Sequence, residues 1–240
     1  MDVDSDGWLV CLSKDGSTRQ IAGMNFDLNT QAAAAIARDK VATSSRLQSV
    51  SIAHVPHCLF RVDADGWSDH AMNELLDQGD VVIKPLEGGD GKHVYRIRQA
   101  ADTKNITHTT VESWATSPWQ DISKELRIVV VNGECWLAYE KTKPVIVNGL
   151  KFFNLSLGAV AQHVDVQDIS KSIRELAAGA TGAIGLHIAA VDIVITEQGV
   201  AKVLEINSAF SLTRYAKTNT ATYDEVAVFY DRLIASMFST

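Results

Sequence analysis

The sequence contains little cysteine, and its three cysteines form no recognisable pattern. Cys11, Cys58 and Cys135 lie far apart, and no Cys-x-x-Cys spacing occurs in the chain. An odd number of isolated cysteines argues against a disulfide framework, and the missing spacing argues against a structural zinc site. The cysteine usage predicts a protein of a reducing compartment, and we expect a cytoplasmic location.

The chain also lacks a basic stripe, an apolar run of membrane-spanning length and a leader-like N-terminus. Lys and Arg number 22 against 29 Asp and Glu, which gives a net charge of −7. Nucleic-acid binding needs a basic surface that neutralises phosphates, so we expect neither nucleic acid nor a membrane as a partner. The length of 240 residues and the 46% share of hydrophobic residues predict a globular protein with one large or two small domains.

Helical and strand periodicities follow one another along the chain without regular alternation. This irregular order favours an α+β fold over a doubly wound parallel sheet. Thr30 is placed to cap a first helix, and Asn132-Gly133 is a strong type I′ hairpin signal. The predicted helices cover residues 30–50, 69–76, 168–178 and 223–238, and the predicted strands cover residues 58–62, 81–84, 94–97, 126–131, 134–141, 190–196 and 200–207.

Two carboxylates and one amide occur in the arms of the last predicted hairpin, which are residues 190–196 and 200–207. A loop of two or four residues places Asp192 directly opposite Glu205, and the period of two adds Asn207 to the same face. Like charges directly opposite destabilise a sheet, so we expect a neutralising group. Hard oxygen ligands suit Mg²⁺ or Mn²⁺, and Mg²⁺ usually brings a nucleotide phosphate. The apolar neighbours are expected on the other face: Ile193, Leu204 and Ile206.

A glycine-rich turn at residues 84–93 joins two predicted strands. It lacks the Gly-Lys-Ser/Thr ending and a following helix, so it is not a P-loop. Its backbone N–H groups could still converge on a phosphate, with Lys84 adding a point charge. The alternative interpretation is a long flexible hairpin turn without a ligand.

Several other polar residues carry little information when taken singly. Lys40 on a helix and Lys141 and Lys143 at a strand end are typical of solvated surface charges. His54 and His57 lack the spacing of metal ligands and are interpreted as loop or surface residues.

In their order along the chain, these segments resemble the ATP-grasp superfamily, and within it the RimK-like peptide ligases and the D-alanine:D-alanine ligase group. The resemblance runs from about Thr30 to the C-terminus. It rests on five motifs in sequence order: Ala37-Arg38-Asp39-Lys40; Val82-Ile83-Lys84-Pro85 with its glycine turn; Thr110-Val111-Glu112-Ser113-Trp114-Ala115; Glu125-Leu126-Arg127-Ile128-Val129-Val130; and Gly185 to Asp192 with Leu204-Glu205-Ile206-Asn207.

The resemblance implies ATP and Mg²⁺ (or Mn²⁺) as cofactors and a reaction that joins a carboxylic acid to an amine through an acyl phosphate, with release of ADP and phosphate. It assigns Arg127 and Lys141 to catalysis, and either Asp121 or Glu125 to the ribose hydroxyls. The other implied roles are metal binding by Asp192, Glu205 and Asn207, phosphate binding by Lys40, Lys84, Gly88, Gly89 and Gly91, and adenine recognition around Glu112 and Trp114.

The resemblance also implies two lobes with ATP between them. We expect a short N-terminal segment and helix at residues 1–55, a small lobe with the glycine-rich lid at residues 56–110, and a large lobe with the metal hairpin at residues 111–240. The N-terminal domain that most members carry before the ATP-grasp lobes is expected to be much reduced.

The chain departs from the family pattern at the substrate end. The usual Asn-Ala-Ser-Pro-Gly ending is Asn207-Ser208-Ala209-Phe210-Ser211, and a usual arginine pair is replaced by Glu140-Lys141-Thr142-Lys143. The altered ending and the short N-terminus leave open an ATP-binding module with a regulatory or scaffolding role. A second alternative is a kinase of the same fold that stops at phosphoryl transfer. Expected partners are a small acid and amine, one of which could be a peptide, and a second copy or another subunit could complete the pocket.

Overall fold

The computed structural model describes residues 2–5, 8–61, 69–88, 91–106, 113–147 and 149–239. The chain begins with a four-stranded antiparallel sheet in the order β1-β2-β3-β4. The sequence pattern predicts only a short N-terminal segment here, because few of these residues reach the core. The strands are β1 (Asp2–Ser5), β2 (Leu9–Lys14), β3 (Ser17–Ala22) and β4 (Asn25–Phe26).

Two short helices follow where the sequence predicts one helix to about residue 50. They are α1 (Gln31–Arg38) and α2 (Lys40–Ser49). Asp39 between them has an extended backbone, and its carboxylate accepts hydrogen bonds from the backbone N–H groups of Val41 and Ala42. Aspartate is a strong N-cap residue and a poor one inside a helix, so the single-helix prediction was wrong at this residue.

A second four-stranded antiparallel sheet, in the order β5-β8-β6-β7, forms the small lobe. Its last strand in sequence continues to Pro118 and pairs with both β5 and β6. This strand, which the expected boundary at residues 110 and 111 assigns to the large lobe, thus pairs within the sheet of the small lobe. The elements are β5 (Cys58–Arg61), α3 (Asp69–Leu76), β6 (Val81–Pro85), β7 (Tyr95–Ile97) and β8 (Ser113–Pro118), with a 3₁₀ helix at Ala100–Asn105.

A five-stranded antiparallel sheet in the order β13-β10-β9-β14-β15 forms the centre of the large lobe, beside a small hairpin of β11 and β12. The strands are β9 (Ile122–Val131), β10 (Glu134–Thr142), β11 (Val145–Val147), β12 (Leu150–Phe152), β13 (Val160–His163), β14 (Ile188–Thr196) and β15 (Ala201–Asn207). The helices are α4 (Lys171–Ile184), α5 (Thr213–Ala216) and α6 (Thr220–Ser236), with a 3₁₀ helix at Val166–Asp168.

The central sheet is covered on both faces, and the alternation along β9 shows how. Ile128 and Val130 belong to the cluster that includes residues of α1, α2 and α4. Val129 and Val131 belong to the opposite cluster, which includes Phe26 and residues of α6. The N-terminal sheet thus helps to close the second face. The type I′ signal was right, since Asn132 and Gly133 both have positive φ.

The α+β prediction is confirmed, because the described residues form helices and antiparallel sheets without βαβ alternation. No helix in the described part of the chain is long and apolar enough to cross a membrane.

Candidate active site

A cleft of about 1180 Å³ lies between the small-lobe sheet and the central sheet of the large lobe. Val82 and Lys84 on β6 line it from the small lobe, and Arg127 and Asp192 line it from the central sheet. Ligand pockets often form between domains and usually measure about 300–1,000 Å³, so the cleft has room for a nucleotide and a further substrate.

The charged residues of the central sheet share one face because of the strand registers. Arg127 lies on the same side of β9 as Val129, since side chains alternate along a strand. Residues directly opposite in neighbouring strands share a face, and Asp192 lies opposite both Arg127 and Glu205. The face that is apolar under α6 therefore becomes charged where it enters the cleft. It carries Glu125, Arg127, Tyr139, Lys141, Asp192, Glu205 and Asn207.

Two cations neutralise Asp192. Arg127 donates from Nε to Asp192 Oδ1 and from Nη2 to Oδ2, both at 2.7 Å, which is the bidentate geometry of a strong charge-assisted pair. Lys141 Nζ lies 3.1 Å from Oδ2 and also donates to Glu125 Oε1. Asp192, Lys141 and Glu125 are all buried. At Asp192, the group that was expected to neutralise the carboxylate is therefore a pair of side chains, Arg127 on β9 and Lys141 on β10.

The pKa directions follow from burial and from these pairs. Burial by itself would raise the pKa of Asp192, but the charges of Arg127 and Lys141 outweigh it and lower that pKa to about 2. Burial opposes the charge on Lys141, yet Asp192 and Glu125 raise its pKa. Burial raises the pKa of Glu125, against the opposing effect of Lys141. Asp192 is ionised and Lys141 is protonated near neutral pH.

The hairpin register at Asp192 was predicted correctly, although the loop was not. Asp192 lies opposite Glu205, as expected. The turn, however, closes between Thr196 and Val200, and a β-bulge at Leu204 restores the predicted pairing. Because of the bulge, Leu204 lines the cleft instead of joining the core, so its predicted orientation was wrong.

The donor set of this hairpin fits a hard divalent cation. The Asp192 carboxylate is ionised, and the partly exposed Glu205 has only one ionic contact among the described residues, with Lys40 Nζ at 4.0 Å. The amide nitrogen of Asn207 is buried without a hydrogen-bond partner in the described part of the chain, and a half-turn of the amide would bring its oxygen to that point. No group of three His, Cys, Asp or Glu side chains with metal-binding geometry occurs among the described residues, so the amide would be an essential third ligand.

Lys40, Lys84 and the glycine turn form the opposite wall. Lys40 Nζ donates to the carbonyl oxygens of Leu86 at 3.3 Å and Gly88 at 2.9 Å, which ties α2 to the turn. Burial is the largest cause that lowers the pKa of Lys84 to about 8, and neighbouring Lys40 acts in the same direction. Both ammonium groups line the cleft.

The two described glycines of the predicted lid have positive φ, +123° at Gly88 and +70° at Gly91. A Cβ at Gly91 would lie 3.1 Å from Asn154 Oδ1 and 3.2 Å from atoms of Phe152 and Leu157. The turn therefore packs closely against the loop after β12. Gly89 lies outside the described residues.

His57 lies in a loop, as one of the two interpretations held, but it is not at the surface. The residue is buried, its backbone N–H donates to Ser44 Oγ, and its Nε2 has no partner among the described residues. Burial, with the charges of Lys84 and Lys40, lowers its pKa to about 2. It is therefore a neutral neighbour of the two lysines. The preceding sequence, Val55-Pro56, does not predict that His57 is buried.

One of the two residues expected near adenine lies away from the cleft, and the other is not described. Trp114 does not line the cleft but belongs to the apolar core of the small lobe, and Glu112 lies outside the described residues. The cleft is lined instead by Ser117-Pro118-Trp119-Gln120-Asp121, which follow on the same strand and its exit. The sequence signal for this lining segment was Pro118, which ends β8. Where a strand ends at a domain boundary, its backbone groups no longer pair within the sheet and are free to bind a ligand.

The two candidate ribose acids differ in burial. Glu125 is paired with Lys141 inside the charged network, whereas Asp121 is exposed at the rim of the cleft. Asp121 Oδ1 accepts a hydrogen bond of 2.8 Å from Trp119 Nε1. Both residues line the cleft, and Asp121 is the more exposed of the two. Residues that the sequence analysis did not assign also line the cleft: Lys151, Phe153, Asn154, Phe210, Ser211 and Arg214.

Comparison with known proteins gives a consistent result. The model of the RimK-like ATP-grasp domain matches residues 37–227. A probable alpha-L-glutamate ligase of Parasynechococcus marenigrum (strain WH8102) is 30% identical over 141 residues, which are 57% of this chain and 29% of that protein. A protein of the same name from Shewanella pealeana (strain ATCC 700345 / ANG-SQ1) is 27% identical over 198 residues, 80% of this chain and 41% of that protein.

The chain thus spans less than half of the length of these curated relatives. Among solved structures, D-alanine–D-alanine ligase from Bacillus anthracis matches with a TM-score of 0.64 and 14% identity, over 88% of this chain and 69% of that one. That likeness shows the ATP-grasp fold. The family match covers most of the chain, and the chain belongs to the RimK-like ATP-grasp family.

Proposed function

We propose that the protein is an ATP-dependent ligase that joins a carboxylic acid to an amine and releases ADP and phosphate. The observation that carries this proposal is the meeting of two sets of groups in one cleft. Lys40, Lys84 and the glycine turn face the acidic hairpin, and Arg127 and Lys141 lie beside that hairpin. Phosphoryl transfer needs positioning and charge neutralisation more than a protein nucleophile, and this site provides both.

In the proposed reaction, an oxygen of the substrate carboxylate attacks the γ-phosphorus of ATP, and the bond to the bridging oxygen of ADP breaks. The amine nitrogen then attacks the acyl carbon, phosphate leaves, and the nitrogen loses a proton. Lys40 and Lys84 hold the phosphates, and Asp121 accepts a ribose hydroxyl. Arg127 and Lys141 attract the acid and spread the negative charge of the phosphoryl group during transfer.

Asp192, Glu205 and Asn207 would hold Mg²⁺ or Mn²⁺, which when bound neutralises phosphate oxygens. Arg127 and Lys141 already use three of the four lone-pair positions of the Asp192 carboxylate. One position on Oδ1 remains for the cation. The ion pairs therefore orient the Asp192 carboxylate and still leave one lone pair available to a metal ion.

An amino acid is the favoured substrate class. The two curated relatives are named as probable alpha-L-glutamate ligases, and cationic Arg127 and Arg214 line the cleft. Cationic side chains in the acceptor region suit the carboxylates of an amino acid or a short acidic peptide.

The test is to incubate the protein with ATP, Mg²⁺ and pools of amino acids, while ADP, phosphate and new amide masses are followed. A ligase gives ADP and an amide, and hydroxylamine in place of the amine gives a hydroxamate. ADP release that needs the acid but never yields an amide would support the kinase alternative. ATP binding without turnover would support the binding module, and AMP as product would refute the mechanism.

A further inference from the structure

One row of side chains runs from the small lobe to Asp121 at the rim of the cleft, and the members before Asp121 have no assigned role. Its first contact joins Asp80 to Arg96, with Arg96 Nε donating to Asp80 Oδ2 at 2.6 Å. Asp80 directly precedes β6, and Arg96 lies opposite Val82 in the β6–β7 pairing. The ion pair fixes the guanidinium of Arg96 at the edge of the small-lobe sheet.

Arg96 in turn covers one face of Trp119. The guanidinium carbon lies 3.8 Å from the centroid of the indole ring, which is a close cation–π stack. Trp119 lines the cleft and Arg96 does not, so the arginine holds the indole from the side away from the cleft. The backbone N–H of Trp119 also donates to the Asp80 carbonyl oxygen at 2.8 Å. The ring and the backbone of Trp119 are therefore both anchored to the same short segment.

The fixed indole then orients Asp121. Trp119 Nε1 donates to Asp121 Oδ1 at 2.8 Å, while Asp121 Oδ2 has no partner among the described residues. The Asp121 carboxylate is exposed and would otherwise rotate freely. One of its oxygens is thus occupied by the indole and the other is presented at the rim of the cleft.

We propose that Arg96 is a positioning residue for the nucleoside end of the site, which acts through Trp119 to hold Asp121 Oδ2 ready to accept a ribose hydroxyl. The inference rests on the proposed function, because it requires a nucleotide in the cleft. Arg96 touches neither ATP nor the reacting atoms. Its effect is on the recognition of ribose and not on phosphoryl transfer.

The test measures the dissociation constants of ATP, 2′-deoxy-ATP and 3′-deoxy-ATP by calorimetry for the wild type and for Arg96→Met. A hydrogen bond to a charged acceptor corresponds to about tenfold in affinity, so the wild type should prefer ATP to at least one deoxy analogue by about tenfold. In Arg96→Met that preference should fall to about twofold or less, while kcat at saturating ATP stays near that of the wild type. Methionine keeps the apolar stem but removes the stacked, charged plane.

Arg98→Met is the matched control. Arg98 Nε also approaches Asp80 Oδ2, at 3.8 Å, but it is exposed and makes no stack on Trp119. This variant should keep the preference for ATP. Trp119→Phe, which keeps an aromatic ring and loses the N–H donor, should lose the preference as Arg96→Met does, and the double variant should lose no more than either single one.

A merely structural role for Arg96 would lower the melting temperature and weaken all three nucleotides equally. Such an equal loss, or an unchanged preference in Arg96→Met, would overturn the inference while leaving the ligase proposal intact. If Arg96→Met fails to fold, Trp119→Phe decides the same question. Absence of ATP binding by the wild type would instead count against the proposed function.

Discussion

Asp192 and Glu205 lie directly opposite each other in one hairpin, yet their surroundings differ. Asp192 is buried between Arg127 and Lys141, whereas Glu205 is partly exposed and has the Lys40 ammonium at 4.0 Å. Removing the Asp192 carboxylate would leave Arg127 without its ion-pair partner and Lys141 with Glu125 alone, which is strongly destabilising. Glu205 can be removed without that penalty, so it is the better residue for testing the metal site.

Glu205→Ala should lower ATP turnover at least a hundredfold, because a metal ligand contributes several kcal/mol to charge stabilisation in the transition state. The free energy of unfolding should change by only about 0.5 kcal/mol, since the side chain is partly exposed. ADP release and urea unfolding measure the two quantities. Glu197→Gln is the control, because Glu197 also lines the cleft but lies in the hairpin turn. Full turnover in Glu205→Ala would refute the metal assignment.

Lys84 gives a prediction about pH. Its pKa is lowered to about 8, chiefly by burial, so the ammonium is charged below that pH and neutral above it. ATP is fully ionised above about pH 7, so the affinity for ATP should fall as pH rises through about 8 to 9.5. Calorimetric titrations over that interval measure the effect. Lys84→Arg stays charged and should show a flatter profile.

Deprotonation of Lys84 does not itself destabilise the fold in this interval. The folded pKa of Lys84 lies below its unfolded value of 10.5, so the unfolded state binds more protons between these two values. This group therefore makes the folded state more stable, not less, as pH rises through the interval. An affinity for ATP that is independent of pH in the wild type would contradict a direct contact between Lys84 and phosphate.

At the scale of elements, local patterns predicted most helices and strands, and the errors have identifiable causes. The hairpin register was correct because the bulge at Leu204 compensates for a three-residue turn, and nothing in the apolar pattern signals that bulge. Asp39 ended a helix that the alanine run would continue, because capping outweighed helix periodicity. Trp114 is buried in the small lobe because its strand, β8, pairs with both β5 and β6. This pairing depends on the tertiary structure and cannot be predicted from a linear motif.

The helix break at Asp39 positions Lys40 at the start of α2, which suggests a variant. Asp39→Ala removes the cap and should cost about 1 kcal/mol of unfolding free energy. It should also weaken ATP binding, because Lys40 would no longer be held toward the glycine turn. Urea unfolding and calorimetry measure these two effects.

Thr30→Ala is the control for this variant, since Thr30 caps α1 in the same way through the backbone N–H of Ala33 and does not line the cleft. A comparable loss of stability with unchanged ATP affinity is expected there. Equal ATP affinities in Asp39→Ala and the wild type would show that the break serves stability alone.

At the scale of the whole molecule, the order of five weak motifs predicted the ATP-grasp fold, although each motif had an ordinary alternative. The N-terminal sheet was not predicted, because Leu12 and Phe26 are its only buried hydrophobic residues among those described. Such a sheet gains its stability by packing on α6, through contacts such as the hydrogen bond from Arg19 Nε to the Met237 carbonyl oxygen. Contacts between distant segments of this kind leave no local pattern in the sequence.

A nucleotide in the cleft would contact both sheets, and this gives a prediction for the whole chain. A nucleotide held by Lys84 of the small lobe and the acidic hairpin of the large lobe should stabilise both lobes together. At a ligand concentration of a hundred times Kd, the gain is about 2.7 kcal/mol. Amide hydrogen exchange should therefore slow in both cores when ATP and Mg²⁺ are added, for example at Ile83 and Ile97 in one and Val191 in the other, all of which are buried. AMP lacks the β- and γ-phosphates and should give much weaker protection of the hairpin. Protection by ATP and Mg²⁺ confined to one lobe would contradict binding between the two.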